Sequence, residues 1–461
     1  MSIVKRINRR RFLGLGLGGI ATGAVAPHLW IPRVSKAGFG IPADRHNHLI
    51  VINLDGGGRS VPMFNANVDG RWNPYGTQSG APGTEWSIGG VFDASAYTET
   101  LALGMPEVPP ITAISDEIAV LATVDHTPGA ANGVGDHAAA RTIIASGFAG
   151  GGPGIISQIY AHHKNYTQGS AGLVFPPVVI GTGGATTPFG TPAGTITPVM
   201  VPSFSEFADQ SGLDGGSQPT WARAFEAGLD GYAAASRSNR DRERIERLSN
   251  GKQNVEAFKA VFTDPALKIA TEPNGTRSGL SNAQLQAIFG TSTLGRNAAL
   301  AARFVSYGSA AVLIGDNGWD THSSEMSAYQ TSANGVARAL CGLNYTLKLM
   351  PHPQGGTYWD RTMVCIISEF GRDNLMTNGF NSGGGSDHTG GPGSRYQAYA
   401  LMGGLVTKGG RLFGVTDPST MQPLGGEPVF GTQAYEAMWL RLLDIDSEQI
   451  FPGTAPVDAV F

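Results

Sequence analysis

From residue 48 onward the chain is punctuated by continuous apolar runs that stop abruptly at polar turn formers. His48-Leu49-Ile50-Val51-Ile52-Asn53-Leu54 runs into Asp55-Gly56-Gly57-Gly58, which predicts a buried strand closed by a tight turn. The same form recurs at Glu117–Thr123, Pro176–Gly181, Ala310–Ile314, Thr362–Ser368 and Gln397–Met402. Between these runs the apolar spacing takes a helical period. It does so over Asp136–Ser146, with Asp136 as the cap and Gly147 as the stop, and over residues 219–263, Leu294–Tyr307, His322–Met350 and Thr432–Leu443. Strands that are apolar throughout, alternating with helices, predict a mostly parallel sheet covered on both faces. Residues 182–218, rich in Gly, Pro, Thr and Ser, read as irregular.

Composition narrows the class. The chain has 461 residues, 41% of them hydrophobic, which supports a large core and excludes wholesale disorder. Charged residues make up only 15%, against coiled coils and against a nucleic-acid binder built on a basic surface. The 66 glycines follow no collagen period, and the chain has no internal repeat. Cys341 lies in a helical pattern and Cys365 in a strand, so both read as buried small hydrophobes instead of a bridge. Without C-x-x-C or a G-x-G-x-x-G after a strand, a redox enzyme is disfavoured. The stretch Arg237–Arg247 alternates in sign and reads as a solvated helix face.

The formal charge of −4 averages two unlike parts. Residues 1–37 hold seven of the 32 Lys and Arg and no acid, so the remainder carries 25 basic against 36 acidic residues. Within that basic start, Arg9-Arg10-Arg11-Phe12-Leu13 has the residues and spacing of a twin-arginine export signal. The Gly/Ala-rich run Leu13–Ala26 is shorter than the ~20 residues of a membrane span. Ser35 and Ala37 suit cleavage before Gly38. The expectation is a periplasmic or extracellular protein that uses the twin-arginine translocation machinery and keeps no stable membrane anchor. Its acidic mature part repels nucleic acid and anionic lipid.

The polar residues with chemistry collect at strand ends and in one late loop. These are Asp55, then Asp316, Asp320 and His322, then Glu369, Arg372 and Asp373, and finally Asp387 and His388. In an open parallel sheet the carboxyl ends of the strands share one edge, where ligands bind. Carboxylates brought together repel unless a cation or proton separates them. Asp, Glu and His together therefore point to a divalent metal site, with Zn, Mn, Ca or Mg all open. Arg372 is placed either to bind an anionic group through two parallel hydrogen bonds or to pair with a carboxylate such as Asp373.

Taken in order, the leader, Asp55-Gly-Gly-Gly, Gly318-Trp319-Asp320-Thr321-His322, Ser368-Glu369-Phe370-Gly371-Arg372, Asp387-His388 and Gly403–Gly410 resemble exported bacterial proteins of the DUF1501 family. The resemblance spans about residues 40–420. That family is related in fold to the alkaline phosphatase and sulfatase superfamily. It implies an alkaline-phosphatase-like three-layer α/β sandwich with a mostly parallel central sheet. One domain would cover residues 38–461, with a loop-rich and helical insertion at about 182–290.

Carried over residue by residue, the resemblance implies metal roles for Asp55, Asp320, His322, Glu369 and His388, with Asp387 beside them. Two departures stand out. The Asp320/His322 spacing is Asp-x-His where the superfamily has Asp-x-x-x-His, and Phe370 stands where it has a histidine. At the nucleophile position, ten residues before Gly147, stands His137, with Arg141 in register and no Cys or Ser available. His137 is then a metal ligand, a general base, or the site of a phosphohistidine-like intermediate. Ser60 and Thr127 are alternative hydroxyls without a base at a motif spacing. The implied activity is metal-dependent hydrolysis of a phosphate or sulfate ester or a related anionic substrate, small or polymeric. The missing nucleophile and Phe370 motivate the alternative, a non-catalytic binding or surface-assembly protein that retains the fold.

Overall fold

The computed structural model describes residues 47–78, 84–93, 107–163, 176–181, 183–194, 196–201, 266–271, 277–352, 354–373 and 384–461. The twin-arginine leader, its cleavage site and the helical pattern of 219–263 with Arg237–Arg247 lie outside these residues. Strands β1 (His48–Leu54), β2 (Ile118–Asp125), β3 (Val178–Ile180) and β4 (Val199–Val201) are followed by β5 (Ala266–Thr271), β6 (Arg277–Ser281) and β7 (Ala311–Asp316). The series closes with β8 (Thr362–Ser368), β9 (Tyr396–Met402), β10 (Leu412–Phe413) and β11 (Phe430–Gly431). The main helices are α1 (His137–Ser146), α2 (Ile155–His162), α3 (Asn282–Phe289), α4 (Thr293–Ser306), α5 (Glu325–Leu349) and α6 (Thr432–Leu442). No helix among the described residues is long and apolar enough to cross a membrane.

Nine strands form one sheet in the order β10-β2-β9-β8-β1-β7-β3-β4, with β11 also pairing with β2. The pairs β1·β7, β1·β8, β3·β7 and β3·β4 are parallel. All seven residues of β1 and of β8 are buried, as continuous apolar runs require of strands covered on both sides. Alternate residues serve two cores. Ile50 and Ile52 face α3, α4 and α5 through Leu285, Leu300, Phe304 and Leu340. Leu49 and Val51 face α1, α2 and α6 through Ile144, Ile156, Met438 and Trp439. The result is the expected three-layer α/β sandwich. Cys341 and Cys365 are free and buried, one in each core.

Three local features differ from the pattern-based reading. β9 runs antiparallel to both β2 and β8, a direction that its continuous apolar run does not encode. Residues 199–201, inside the stretch read as irregular, add an edge strand, β4, too short for its period to register. The helical pattern from His322 begins only at Glu325, so Asp320 and His322 sit on a loop.

Candidate metal centre

Leu54 of β1 lies opposite Asp316 of β7 and Ser368 of β8 in the parallel register, so three strands end side by side. Asp55, the loop after Asp316, and Glu369 therefore leave the sheet at one edge. Gly56 and Gly57 turn the chain there with φ of 108° and 85°. A Cβ on Gly56 would lie 2.4 Å from the Asp320 nitrogen, and one on Gly57 2.5 Å from the Phe370 ring. Only glycine permits both the dihedral and the approach. Ser368 Oγ accepts from Gly58 N–H at 2.7 Å and donates to the Leu54 carbonyl at 2.7 Å, which locks β8 to the turn.

Helix α1 starts over this edge. Asp136 caps it by accepting from Ala139 N–H at 2.8 Å, and Gly147 closes it in the left-handed region, as its sequence signals. His137 is thereby its first residue. Its Nδ1 is 2.6 Å from Oε1 of Glu369, and its Nε2 is 3.4 Å from Oδ2 of Asp320.

One guanidinium sits between two of the strand-end acids. Arg141, one turn into α1, donates from Nε and Nη2 to the two oxygens of Asp55 at 2.7 and 2.9 Å. The same Nε lies 2.7 Å from Oε2 of Glu369. Glu369 is fully buried, and its Oε1 also accepts from Gly56 N–H at 3.0 Å. Burial, followed by the charge of Asp55, pushes its carboxyl up to about 8, against the pull of Arg141.

The second cluster surrounds Asp320. Its Oδ1 is 2.8 Å from His322 Nε2, 3.4 Å from His388 Nε2 and 2.8 Å from Arg372 Nη2. Burial opposes ionisation of Asp320, but Arg372, His322 and His137 together hold its carboxyl below the usual range. His388 Nδ1 is 2.7 Å from the carbonyl oxygen of Gly135. A carbonyl only accepts, so Nδ1 carries the hydrogen and Nε2 presents a lone pair. Burial pushes His388 down, which favours that neutral form. Its Nε2 meets His322 Nε2 at 3.2 Å. Asp387 Oδ1 lies 3.8 Å from His322 Nδ1. Phe370 stacks on the His388 ring, with centroids 4.5 Å apart and planes 20° apart, and so forms an apolar wall.

Two triads bring one ligand atom each to within 4.8 Å of one another: His137, Asp320 and His388, and His322, Asp387 and His388. The donor chemistry fits a divalent ion. Imidazole nitrogens whose other ring nitrogen is held by an oxygen, alongside a carboxylate, are the ligands of zinc-like metals, whereas Mg and Ca take oxygen alone.

The remaining sequence-selected residues fall into place around this centre. Arg372 is buried and pairs with Asp320, not with Asp373. Asp373 is taken by Thr389 N–H and by the hydroxyls of Thr389 and Ser394. Ser60 Oγ accepts from Ala398 N–H at 3.0 Å, and Thr127 Oγ1 donates to the Asp125 carboxylate at 3.4 Å, so both hydroxyls are tied to the framework. Sequence reading passed over Asp125 and Arg395. Arg395 holds Asp125 at 2.8 Å and the Ala130 carbonyl at 2.9 Å, and so fixes the loop that presents Gly135 to His388. Asp125 ends β2, and the strand-end rule that selected Asp55 would have selected it too.

Fold and site together define a three-layer α/β protein with a histidine–carboxylate centre at the carboxyl edge of its sheet. The chain belongs to the family described as protein of unknown function (DUF1501), whose model matches residues 46–456. No curated protein matches it. Among solved structures it is similar to Ps i-CgsB in complex with k-i-k-neocarrahexaose, at 10% identity and a TM-score of 0.36 over 89% of this chain and 75% of that one. It is also similar to Ps i-CgsB alone, at 10% identity and a TM-score of 0.37 over the same shares.

Proposed function

We propose that this chain is an exported, metal-dependent hydrolase of a phosphate or sulfate ester or a related anionic substrate. One observation carries the metal reading: the Nε2 atoms of His137, His322 and His388 all turn to the carboxylate of Asp320. Asp320, His137 and His388 would hold the ion, with His322 and Asp387 completing its surroundings. A divalent cation there supplies Lewis-acid polarisation of an ester oxygen.

The chain's own groups do the rest. Glu369 orients the His137 ring through Nδ1 and holds or yields a proton at that contact. Arg372, buried behind Asp320, fixes the carboxylate that faces the histidines. Phe370 and its neighbours keep water from the inner side of His388. Export rests on Arg9–Leu13 and the basic leader.

A second reading, a binding protein that keeps the fold, is favoured by one observation. Arg141 and Arg372, the arginines placed to recognise an anion, are both committed to carboxylates. The separating experiment is turnover of a panel of phosphate and sulfate esters by protein stripped with a chelator and reloaded with Zn or Mn. Metal-restored turnover that His137→Ala reduces at least tenfold is expected. Failure of reloaded, folded protein to hydrolyse any ester in the panel favours the binding reading.

A further inference from the structure

Asp55 and Glu369 are the two strand-end acids that the superfamily resemblance assigns to a metal, yet they do not fit one here. Asp55 spends both oxygens on Arg141, at 2.7 and 2.9 Å. Glu369 Oε2 lies 2.7 Å from the same Nε, while its Oε1 meets His137 Nδ1 and accepts from Gly56 N–H. Among the described residues, neither acid belongs to a group of three that could close on one ion. Arg141 reaches this place by secondary structure: it lies four residues after His137, one helical turn along α1, above the ends of β1 and β8. A guanidinium is a permanent cation with a planar fork that matches carboxylate oxygens. Two acids converging at a sheet edge need a cation or a proton between them, and this chain provides a cation of its own.

We propose that Arg141 is the resident cation of the Asp55/Glu369 pair, so that these acids take no metal and ion binding is confined to the His137, Asp320, His322, Asp387 and His388 cluster. This deepens the metal reading above and rests on it for the second clause only. It assigns Arg141 a positioning role. Lying 2.7 Å from Glu369 Oε2, it holds in place the carboxyl group that orients His137, and it is not offered to substrate.

The test is metal binding by the intact folded chain, followed by elemental analysis after dialysis and by calorimetric titration with Mn²⁺ and Zn²⁺. Asp55→Asn/Arg141→Gln removes the paired charges of Asp55 and Arg141 together and leaves Glu369 its contacts to His137 and Gly56. Arg141→Ala opens the acid pair. Circular dichroism and size-exclusion elution establish that each variant is folded. The expected result is that the double variant retains the wild-type Zn²⁺ stoichiometry, and that Arg141→Ala gains about one equivalent of Mn²⁺ over wild type, as an all-oxygen pair released from its guanidinium attracts a hard cation. Loss of wild-type metal in the double variant overturns the inference while leaving a metal protein. No gain of Mn²⁺ by folded Arg141→Ala also overturns it. If wild type binds no metal but Arg141→Ala gains Mn²⁺, the resident-cation role stands and the metal-dependent function above fails.

Discussion

Two fully buried glutamates are treated in opposite ways. Glu369 has Arg141, His137 and Gly56 around its oxygens. Glu436 of α6 has no hydrogen-bond partner for either oxygen among the described residues. It lies against the turn at Gly147, where a Cβ would come within 2.7 Å of its Oε2. Burial alone pushes its carboxyl well above the ordinary value of 4.5. The folded state therefore binds this proton more tightly than the unfolded chain does. Its contribution to stability is fully present below 4.5 and is lost as pH rises from there toward the folded value. The slope per proton is at most about 1.4 kcal/mol per pH unit. Glu436→Gln keeps the shape and removes the titration. Its melting temperature, measured beside wild type from roughly pH 5 to pH 8, is expected to gain on wild type as pH rises. Parallel curves would show that the carboxyl stays charged or hydrated. At this scale the sequence disclosed which acids and histidines mattered but not their partners. His137 and Glu369 are 232 residues apart, and Arg141 and Asp55 are 86 apart. Strand order alone decides such pairings, and no local spacing encodes it.

The elements were more legible. β1, β7 and β8 announce themselves because burial on both faces leaves no polar position to blur the run. α1 carries its own start and stop, Asp136 and Gly147, ten residues of helix apart. Strand direction is not encoded in a run of apolar residues, so the antiparallel β9 went unread. The start of α5 was misplaced because His322 and Glu325 fit a helical period, while the loop before Glu325 is held instead by contacts to the site. Ser324 adopts a left-handed φ of 50°, and Glu325 accepts from Ser386 N–H at 2.6 Å. The cap of α1 bears on function because the next residue is His137. Asp136→Ala removes the bond to Ala139 N–H and is expected to cost about 1 kcal/mol in chemical denaturation. It is also expected to weaken metal binding by letting the first turn fray. A loss of stability with unchanged metal affinity would mean that Glu369 alone fixes His137.

On the scale of the molecule, the sheet gathers residues from four distant segments onto one edge and separates their charges into two units. One is closed by Arg141. The other, around Asp320, presents three imidazole nitrogens. This division sets the acids closed by a guanidinium apart from the histidines around Asp320. With 36 acids against 25 bases in residues 38–461, the net charge repels an anionic ester in bulk, so the proposed function needs a cation at the centre. The most direct measurement is the metal content of purified wild-type protein beside His388→Ala, each shown to be folded. About one equivalent of a zinc-like transition metal in wild type, lost in His388→Ala, is the expected result. Metal-free wild type after purification and reloading, or an ion retained by His388→Ala, would contradict the assignment.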